Sequence, residues 1–390
     1  MAQAIISRRG GGSGYATITF NGVSALKRTG AAALVWPRDY LAATAVGDYA
    51  LFAGGYGLNS YRVEIDAYNA SLTKQSISVS QKLDQGKAYL AATTVGNYAL
   101  FGGGMSRSGT TDTFYSTVDA YDTSLTRSTP TALSVARRML SATTVGNYAL
   151  FGGGIASSSY FATVDAYNSS LTRSTPTALS VGRHSLAATA VGDYALFGGG
   201  RDSSSVLATV DAYNTSLTRT TPTALSQAML SFAATTVGDY ALFGGYSGVD
   251  AYNTNLTRTT PTALSVPRND LSATTVGDYA LFGGGFSGGN VLATVDAYDT
   301  SLTRSTPTAL SEARRFLAAT AIGNYALFGG GTYESATVDA YYVNNKVQVY
   351  PGTIYKLGSM SSESTSSTMQ EIETTAPITG YIKIKDATIN

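Results

Sequence analysis

The sequence predicts an all-β chain folded as a seven-bladed β-propeller, and three observations carry that prediction. A segment of the form Val-Gly-Asp/Asn-Tyr-Ala-Leu-Phe (Ile-Gly-Asn-Tyr in the last copy) recurs seven times. Each recurrence opens a unit that reads as four short strands. The region before the first unit supplies the one strand that the last unit lacks.

The recurring glycine stands at 47, 96, 146, 192, 238, 277 and 323, a period of 39 to 50 residues, which is the spacing of propeller blades. The third unit shows the plan. Leu140 to Val145 is small and β-branched, and Gly146-Asn147 is a turn pair able to take positive φ. Tyr148 to Phe151 is a second strand stopped by Gly152 to Gly154. Thr163 to Tyr167 is a third, and a fourth starts near Leu171. No segment keeps a 3.6-residue apolar period, which excludes a helical solenoid.

Charges recur with the strands. Asp119 and Arg127 lie eight residues apart around the turn from third to fourth strand, so they oppose each other if the hairpin centres on Thr123. The same spacing gives Asp66–Lys74, Asp165–Arg173, Asp211–Arg219, Asp250–Arg258 and Asp296–Arg304, and these pairs read as cross-strand staples within blades. The last unit stops after three strands, near Tyr341. Ala25 to Arg38 aligns without gaps on Ser124 to Arg137, so the N-terminal strand completes blade 7, with Arg28 as the partner of Asp339. The propeller is expected over residues 23–342, flanked by extensions at 1–22 and 343–390. The extensions carry strand-like runs at Tyr15 to Phe20, Val347 to Tyr350 and Gly380 to Lys385, around a Ser/Thr-rich stretch at Ser359 to Thr368. They read as a small β module or anchor, or as a flexible tail.

Composition narrows the function. Among 390 residues, 26 Lys+Arg against 25 Asp+Glu leave a net charge of +1, without the basic surplus of a nucleic-acid binder. No cysteine is present, so disulfides, thiolate metal sites and cysteine nucleophiles are excluded. The N-terminus shows no apolar leader, and no window approaches 18 apolar residues, so neither secretion by a signal peptide nor membrane insertion is expected. A single histidine, His184, rules out a histidine metal triad, and no cofactor is expected. The Gly-Gly-Gly after each second strand precedes no helix and no Lys-Ser/Thr, so it is not a phosphate loop. The Asn-Xaa-Ser triplets at 69, 168 and 214 read as turn residues.

The doubled glycine after an apolar strand (Phe101-Gly102-Gly103), the later Tyr121 and the Arg137 ahead of the next inner strand resemble the kelch-repeat family over residues 25–341. Thr or Arg replaces the family's Trp after the Tyr. The resemblance implies a kelch-type propeller whose ligand-contacting positions ring the channel mouth. The near-identical repeats, the opening run from Ile5-Ile6-Ser7-Arg8-Arg9 into Gly10-Gly11-Gly12 and the short β termini resemble kelch proteins of Firmicutes and their phages, where such a domain would look like a virion-borne, tail-fibre-like receptor binder.

Comparison of the seven units locates the variation. The turns between strands one and two and between strands three and four scarcely change. The connection between strands two and three, and the pair of residues before each inner strand, change freely, and strand alternation puts both on one end of the ring. A basic residue recurs beside that pair (Arg38, Lys87, Arg137, Arg183, Arg268, Arg314), with Met229 in blade 5. The candidate ligand-binding face takes Arg38, Asp39 and Tyr40 from blade 1, and Tyr89, Arg107, Phe114 and Tyr115 from blade 2. Blade 3 adds Arg137, Arg138, Met139, Tyr160 and Phe161, and blade 4 adds Arg183, His184, Arg201 and Asp202. Blade 6 gives Arg268, Asn269, Asp270, Phe286 and Asn290, and blade 7 gives Arg314, Arg315, Phe316 and Tyr333. Aromatic, Arg, Asn and Ser side chains on loops suit adaptable recognition. No catalytic or metal-binding residue is expected. The expected function is non-enzymatic binding of a cell-surface protein or glycan, with the termini contacting other virion proteins. The alternatives are an intracellular scaffold, with a cytoplasmic location, and a propeller lyase or hydrolase with a channel-mouth carboxylate near an Arg and a Tyr.

Overall fold

The computed structural model describes residues 5–7, 15–19, 25–332, 335–349, 354–355, 364–365, 370–374 and 382–383. In the first unit Ala42–Val46 pairs with Tyr49–Ala53, and Val46 faces Tyr49, so the loop is only Gly47-Asp48. Gly47 has φ +52°, a left-handed value that glycine takes without steric cost and that the first position of this hairpin loop requires. The third strand, Ile65–Asn69, pairs back on the second, and the two-residue outer strand Lys74–Gln75 completes the blade. Blades 2 to 6 repeat the same four-stranded order. Blade 7 runs Ala318–Ile322, Tyr325–Gly329, Val338–Val349 and then Ala25–Gly30 from the other end of the chain. Arg28 meets Asp339 at 2.7 Å, so the ring closes as a seven-bladed propeller by the strand the sequence alignment nominates.

The core lies between blades. Val95, Leu100 and Val118 of blade 2 pack on Ala149, Phe151 and Tyr167 of blade 3, and Ile322, Leu327 and Val338 of blade 7 pack in the same way on Leu41, Phe52 and Tyr68 of blade 1. A blade has a neighbour on each side. Its second strand is therefore buried on both faces and reads as an unbroken apolar run, Tyr-Ala-Leu-Phe, instead of an alternation. Every Phe of that strand sits edge-on to the Tyr of the third strand, as Phe151 does to Tyr167 at 5.9 Å. The glycine after it has a reason too: a Cβ on Gly152 would lie 2.8 Å from the ring of Phe197 in the next blade. Around the channel, Thr94, Thr144, Thr236 and Thr275 each bond a carbonyl of the preceding blade, whereas Ala45, Ala190 and Ala321 hold that position in blades 1, 4 and 7.

Two details differ from the sequence reading. Tyr121 faces Arg127, so the outer hairpin centres on Ser124 and Asp119 lies diagonal to Arg127 instead of opposite it. The shift follows from the turn: Leu125 takes φ +62°, and Asp122 Oδ1 accepts the N–H groups of Ser124 and Thr126. The staples still form, at 2.6 to 3.7 Å, because a long basic side chain spans the diagonal. The fourth strand starts at Arg173, not near Leu171, which is itself a left-handed turn residue at φ +60°. Asn69, Asn168 and Asn214 take the same turn role as Asp122.

Residues 28–341 form one compact unit, and residues 1–27 with 342–390 another. In the second, Ile5–Ser7 pairs with Tyr15–Thr19, which pairs with Ile382–Lys383, so the two extensions contribute to one sheet. Asn345 to Val349 pairs with Gln370–Thr374. Most of the Ser/Thr-rich stretch lies outside the described residues. Among the described residues no helix is long and apolar enough to cross a membrane.

Candidate binding face

The two variable connections do share one end of the ring. Within blades they form antiparallel bridges, Asp39 to Tyr56, Arg138 to Ile155, His184 to Arg201 and Asn269 to Phe286. At the centre of that end, the second residue of each variable pair takes a left-handed backbone: Tyr40, Tyr89, Met139, Ser185, Ser231, Asp270 and Phe316, all with φ between +52° and +59°. Each donates its N–H to the carbonyl of its counterpart in the preceding blade, from Tyr40 to Phe316 and so on round to Phe316 to Asp270, at 2.7 to 3.1 Å. Seven hydrogen bonds thus close a continuous backbone ring at the channel mouth. The ring needs only main-chain atoms, so it fixes where the side chains start and leaves their identity open.

Those seven residues, with Leu140, Leu186, Phe232 and Leu271 beneath them, line a cavity of about 200 Å³. Its two arcs differ. On one, aromatic rings and guanidinium groups stack in series across five blades. Arg315 lies 4.3 Å from the Phe286 centroid and 4.7 Å from Phe316. Phe316 lies 4.2 Å from Tyr40, and Tyr40 lies 4.0 Å from Tyr89. Arg138 then sits 5.5 Å from Tyr89 and 5.9 Å from Phe114. On the other arc stand Ser185, Ser231 and Asp270. Arg315 reaches the Asp270 carboxylate at 3.6 Å. Burial raises Asp270 and Asp39 to about 6, against the pull of Arg315 on both and of a backbone hydrogen bond on Asp39. Burial and the neighbouring Arg138 and Arg201 hold the His184 imidazole below its usual range.

The recurring inner arginines do not belong to this face. Arg38, Arg137, Arg183, Arg268 and Arg314 are fully buried and pair at 2.6 to 2.8 Å with Asp66, Asp165, Asp211, Asp296 and Asp339 of their own blades. Each also donates to a second-strand carbonyl, as Arg137 does to Phe151. Lys87 takes the same place against Asp119. Their placement on a ligand-binding face is corrected: a guanidinium taken out of water is tolerated only with a carboxylate partner, and each of these is committed to one inside its blade. In blade 5, where Met229 stands, Asp250 is held by the Ser226 N–H and Oγ.

The remaining candidates divide by position. Tyr40, Tyr89, Met139, Asp270 and Phe316 line the cavity. Asp39, Arg138, His184 and Arg315 flank it, and Tyr160 packs its ring 5.5 Å from His184. Phe114 reaches it through Arg138, and Phe286 through Arg315. Farther out, Arg107 is exposed and engages Asp112, Tyr115 bonds Ser106, Asp202 caps its own turn, and Asn290 bonds the Gly288 carbonyl. Arg201 is exposed, while Asn269 and Phe161 are half-buried in the rim. Tyr333 lies outside the described residues. The candidate face left out Ser185, although it stands in the variable pair with His184, and the sequence reading missed Ser231. It also missed the exposed apolar residues of blade 1, where Trp36 lies under Arg62 at 5.1 Å and Tyr56 and Leu58 are exposed as well. The alignment of repeats could have found the serines, since both stand in the column of Tyr40.

No protein-family model matches the chain, and no curated protein does. Among solved structures 679 chains match, so the fold by itself points to no single activity. One of them, titled "Structure of YjhT", aligns with a TM-score of 0.56 at 10% identity, over 71% of this chain and 99% of that one. That likeness is one of fold.

Proposed function

We propose that this propeller is a non-enzymatic recognition module of the kelch type, which binds a cell-surface protein or glycan through its diversified face. One observation carries the reading: an invariant ring of seven backbone hydrogen bonds presents seven side chains of five different kinds at a single cavity. A scaffold that holds its backbone constant and varies what it displays is suited to evolving specificity. The resemblance to kelch proteins of Firmicutes and their phages extends this to a virion-borne, tail-fibre-like receptor binder, with the terminal unit as the attachment to the particle.

The enzymatic alternative, a lyase or hydrolase, has one observation in its favour. Asp39 and Asp270, both raised to about 6, flank Arg315 beside Tyr40. That places titrating carboxylates near an Arg and a Tyr at the mouth. The test is binding of labelled protein to panels of bacterial cells and immobilised glycans, beside a variant with Arg107, Phe114, Tyr115, Tyr160 and Phe161 changed to Ser. Selective binding that weakens at least about tenfold in the variant is the expected result. Binding nowhere, or binding equal in both proteins, would remove the recognition reading.

A further inference from the structure

The mouth is electrically lopsided: on its positive side Asp112, already paired with Arg107, is the carboxylate that feels the charge of Arg138, and no ion pair forms there with Arg138 or Arg201 among the described residues. On the blade 6–7–1 side the cation, Arg315, is answered by Asp270 at 3.6 Å and by Asp39. The blade 3–4 side is different. Arg138 forms no ion pair with a carboxylate among the described residues, and its Nη1 donates to the Met105 thioether at 2.9 Å, a weak acceptor. Its Nε has no partner, as in Arg38, Arg137, Arg183 and Arg314, but each of those four gives a terminal nitrogen to an Asp carboxylate, and Arg138 does not. Arg201, across the bridge from His184, has no carboxylate partner among the described residues either.

The carboxylates that could neutralise these two are committed elsewhere. Asp112 takes both Nε and Nη2 of Arg107, at 2.5 and 3.1 Å. Asp202 accepts from the N–H groups of Ser204 and Ser205 and from Ser204 Oγ. Between the two arginines stands His184, its Nδ1 2.9 Å from Ser185 Oγ and its ring against Tyr160. The Arg138 guanidinium carbon lies 5.5 Å from the Tyr89 ring and 5.9 Å from the Phe114 ring, which position the group at the mouth. Met139 and Ser185, the next residue after Arg138 and after His184, are cavity-lining.

We propose that this side of the mouth is an anion subsite, where Arg138 and Arg201 receive the carboxylate or phosphate of an acidic saccharide whose ring occupies the adjoining cavity. A saccharide is favoured over an acidic peptide segment because the cavity, at about 200 Å³, is of ring size and has Leu140, Leu186 and Leu271 in its lining, apolar surface for a ring to pack on. Ser185, Ser231 and Asp270 meet sugar hydroxyls on its far wall. The inference rests on the recognition reading of this face and specifies the chemistry that it selects.

His184 is the sole histidine of the chain and a reporter at the subsite. Its ring protons would be followed by NMR in the full-length protein, at constant ionic strength, against inorganic phosphate, glucuronate, glucose 6-phosphate, glucose and tetraglutamate. Two variants accompany it: Arg138→Ala, which places in blade 3 the residue that blade 2 carries as Ala88, and Arg201→Gln, a solvent-exposed change. The expected result is a saturable shift with phosphate, glucuronate and glucose 6-phosphate, none with glucose, and a His184 titration moved up by about 0.5–1 pH unit when the anion is bound. Glucuronate or glucose 6-phosphate half-saturates at least about tenfold below phosphate, and each variant weakens all three by about tenfold or more.

No saturable shift, or shifts identical in Arg138→Ala, would overturn the subsite. Sugar anions no tighter than phosphate, or tetraglutamate tighter than either, would overturn the saccharide assignment. Cell binding that depends on the mouth while His184 stays silent would overturn the subsite alone. A responsive His184 with cell binding indifferent to the mouth would overturn the recognition reading alone.

Discussion

Two aspartates at the mouth are held where they weaken the fold. Asp39 and Asp270 are raised from 3.8 to about 6 by burial, so each binds its proton more tightly in the folded chain than in the unfolded one. Their contribution to stability is present below pH ~4 and is lost as the pH rises through about 6. Asp39→Asn and Asp270→Asn are therefore each expected to stabilise the protein relative to wild type above pH ~6, by about 1 kcal/mol after solvent screening. Below pH ~4 the difference should vanish. Guanidinium denaturation at pH 4.5 and 7.5 checks this, and equal effects at the two pH values would contradict it. Groups kept at a cost to stability are what a working site looks like. At this scale the sequence was only half readable. Arg137 stands beside a variable pair and looks like part of the display, yet it points inward. Its constancy was the available clue: Arg38–Asp66, Arg137–Asp165, Arg183–Asp211 and Arg268–Asp296 all keep a spacing of 28 residues. Spacing alone could not say that both ends were buried, because burial depends on the neighbouring blade.

At the scale of elements, the repeat made the strands legible. A two-residue Gly-Asp or Gly-Asn loop leaves one way to pair its flanking strands, and an unbroken Tyr-Ala-Leu-Phe run makes sense only where both faces are covered. The outer hairpin was centred one residue early, which puts its pairing two residues out of register, because the left-handed Leu125 is not foreseeable from its type: leucine rarely adopts that conformation. The channel wall offers a test between blades. Thr94, Thr144, Thr236 and Thr275 each bridge to the preceding blade, and Ala190 leaves the junction of blades 3 and 4 without that bridge. Ala190→Thr is expected to restore it, with Thr143 in the place that Thr93 takes against Thr144. A gain of about 0.5–1.5 kcal/mol should appear in denaturant unfolding. A loss would mean that the threonine bridges of the other blades are incidental to stability.

For the whole molecule, seven near-identical units build a ring with two unlike ends. The end carrying the Gly-Asp and Asn-Thr-Ser turns repeats itself. The other end carries a cavity whose walls are aromatic and guanidinium on one arc and hydroxyl and carboxylate on the other. The location of that face was legible, because repeats diverge where the fold does not constrain them. The ring of left-handed residues was not, since Tyr, Met, Phe and Asp disguise a backbone geometry usually signalled by glycine.

That ring also supplies a clean variant. Ser185 and Ser231 hold the same φ of +52° in blades 4 and 5, so Tyr40→Ser, Tyr89→Ser and Phe316→Ser together keep the scaffold and remove the aromatic arc. The most direct measurement is the affinity of this triple variant for whichever cell or glycan of the panels the wild type selects, with Thr123→Ala on the opposite end as the control. The account predicts a loss of at least about a hundredfold for the triple variant, a propeller that still unfolds cooperatively though at a lower temperature for want of the stacked rings, and no change for the control. Full affinity in the triple variant, or an equal loss in the control, would contradict recognition through this face.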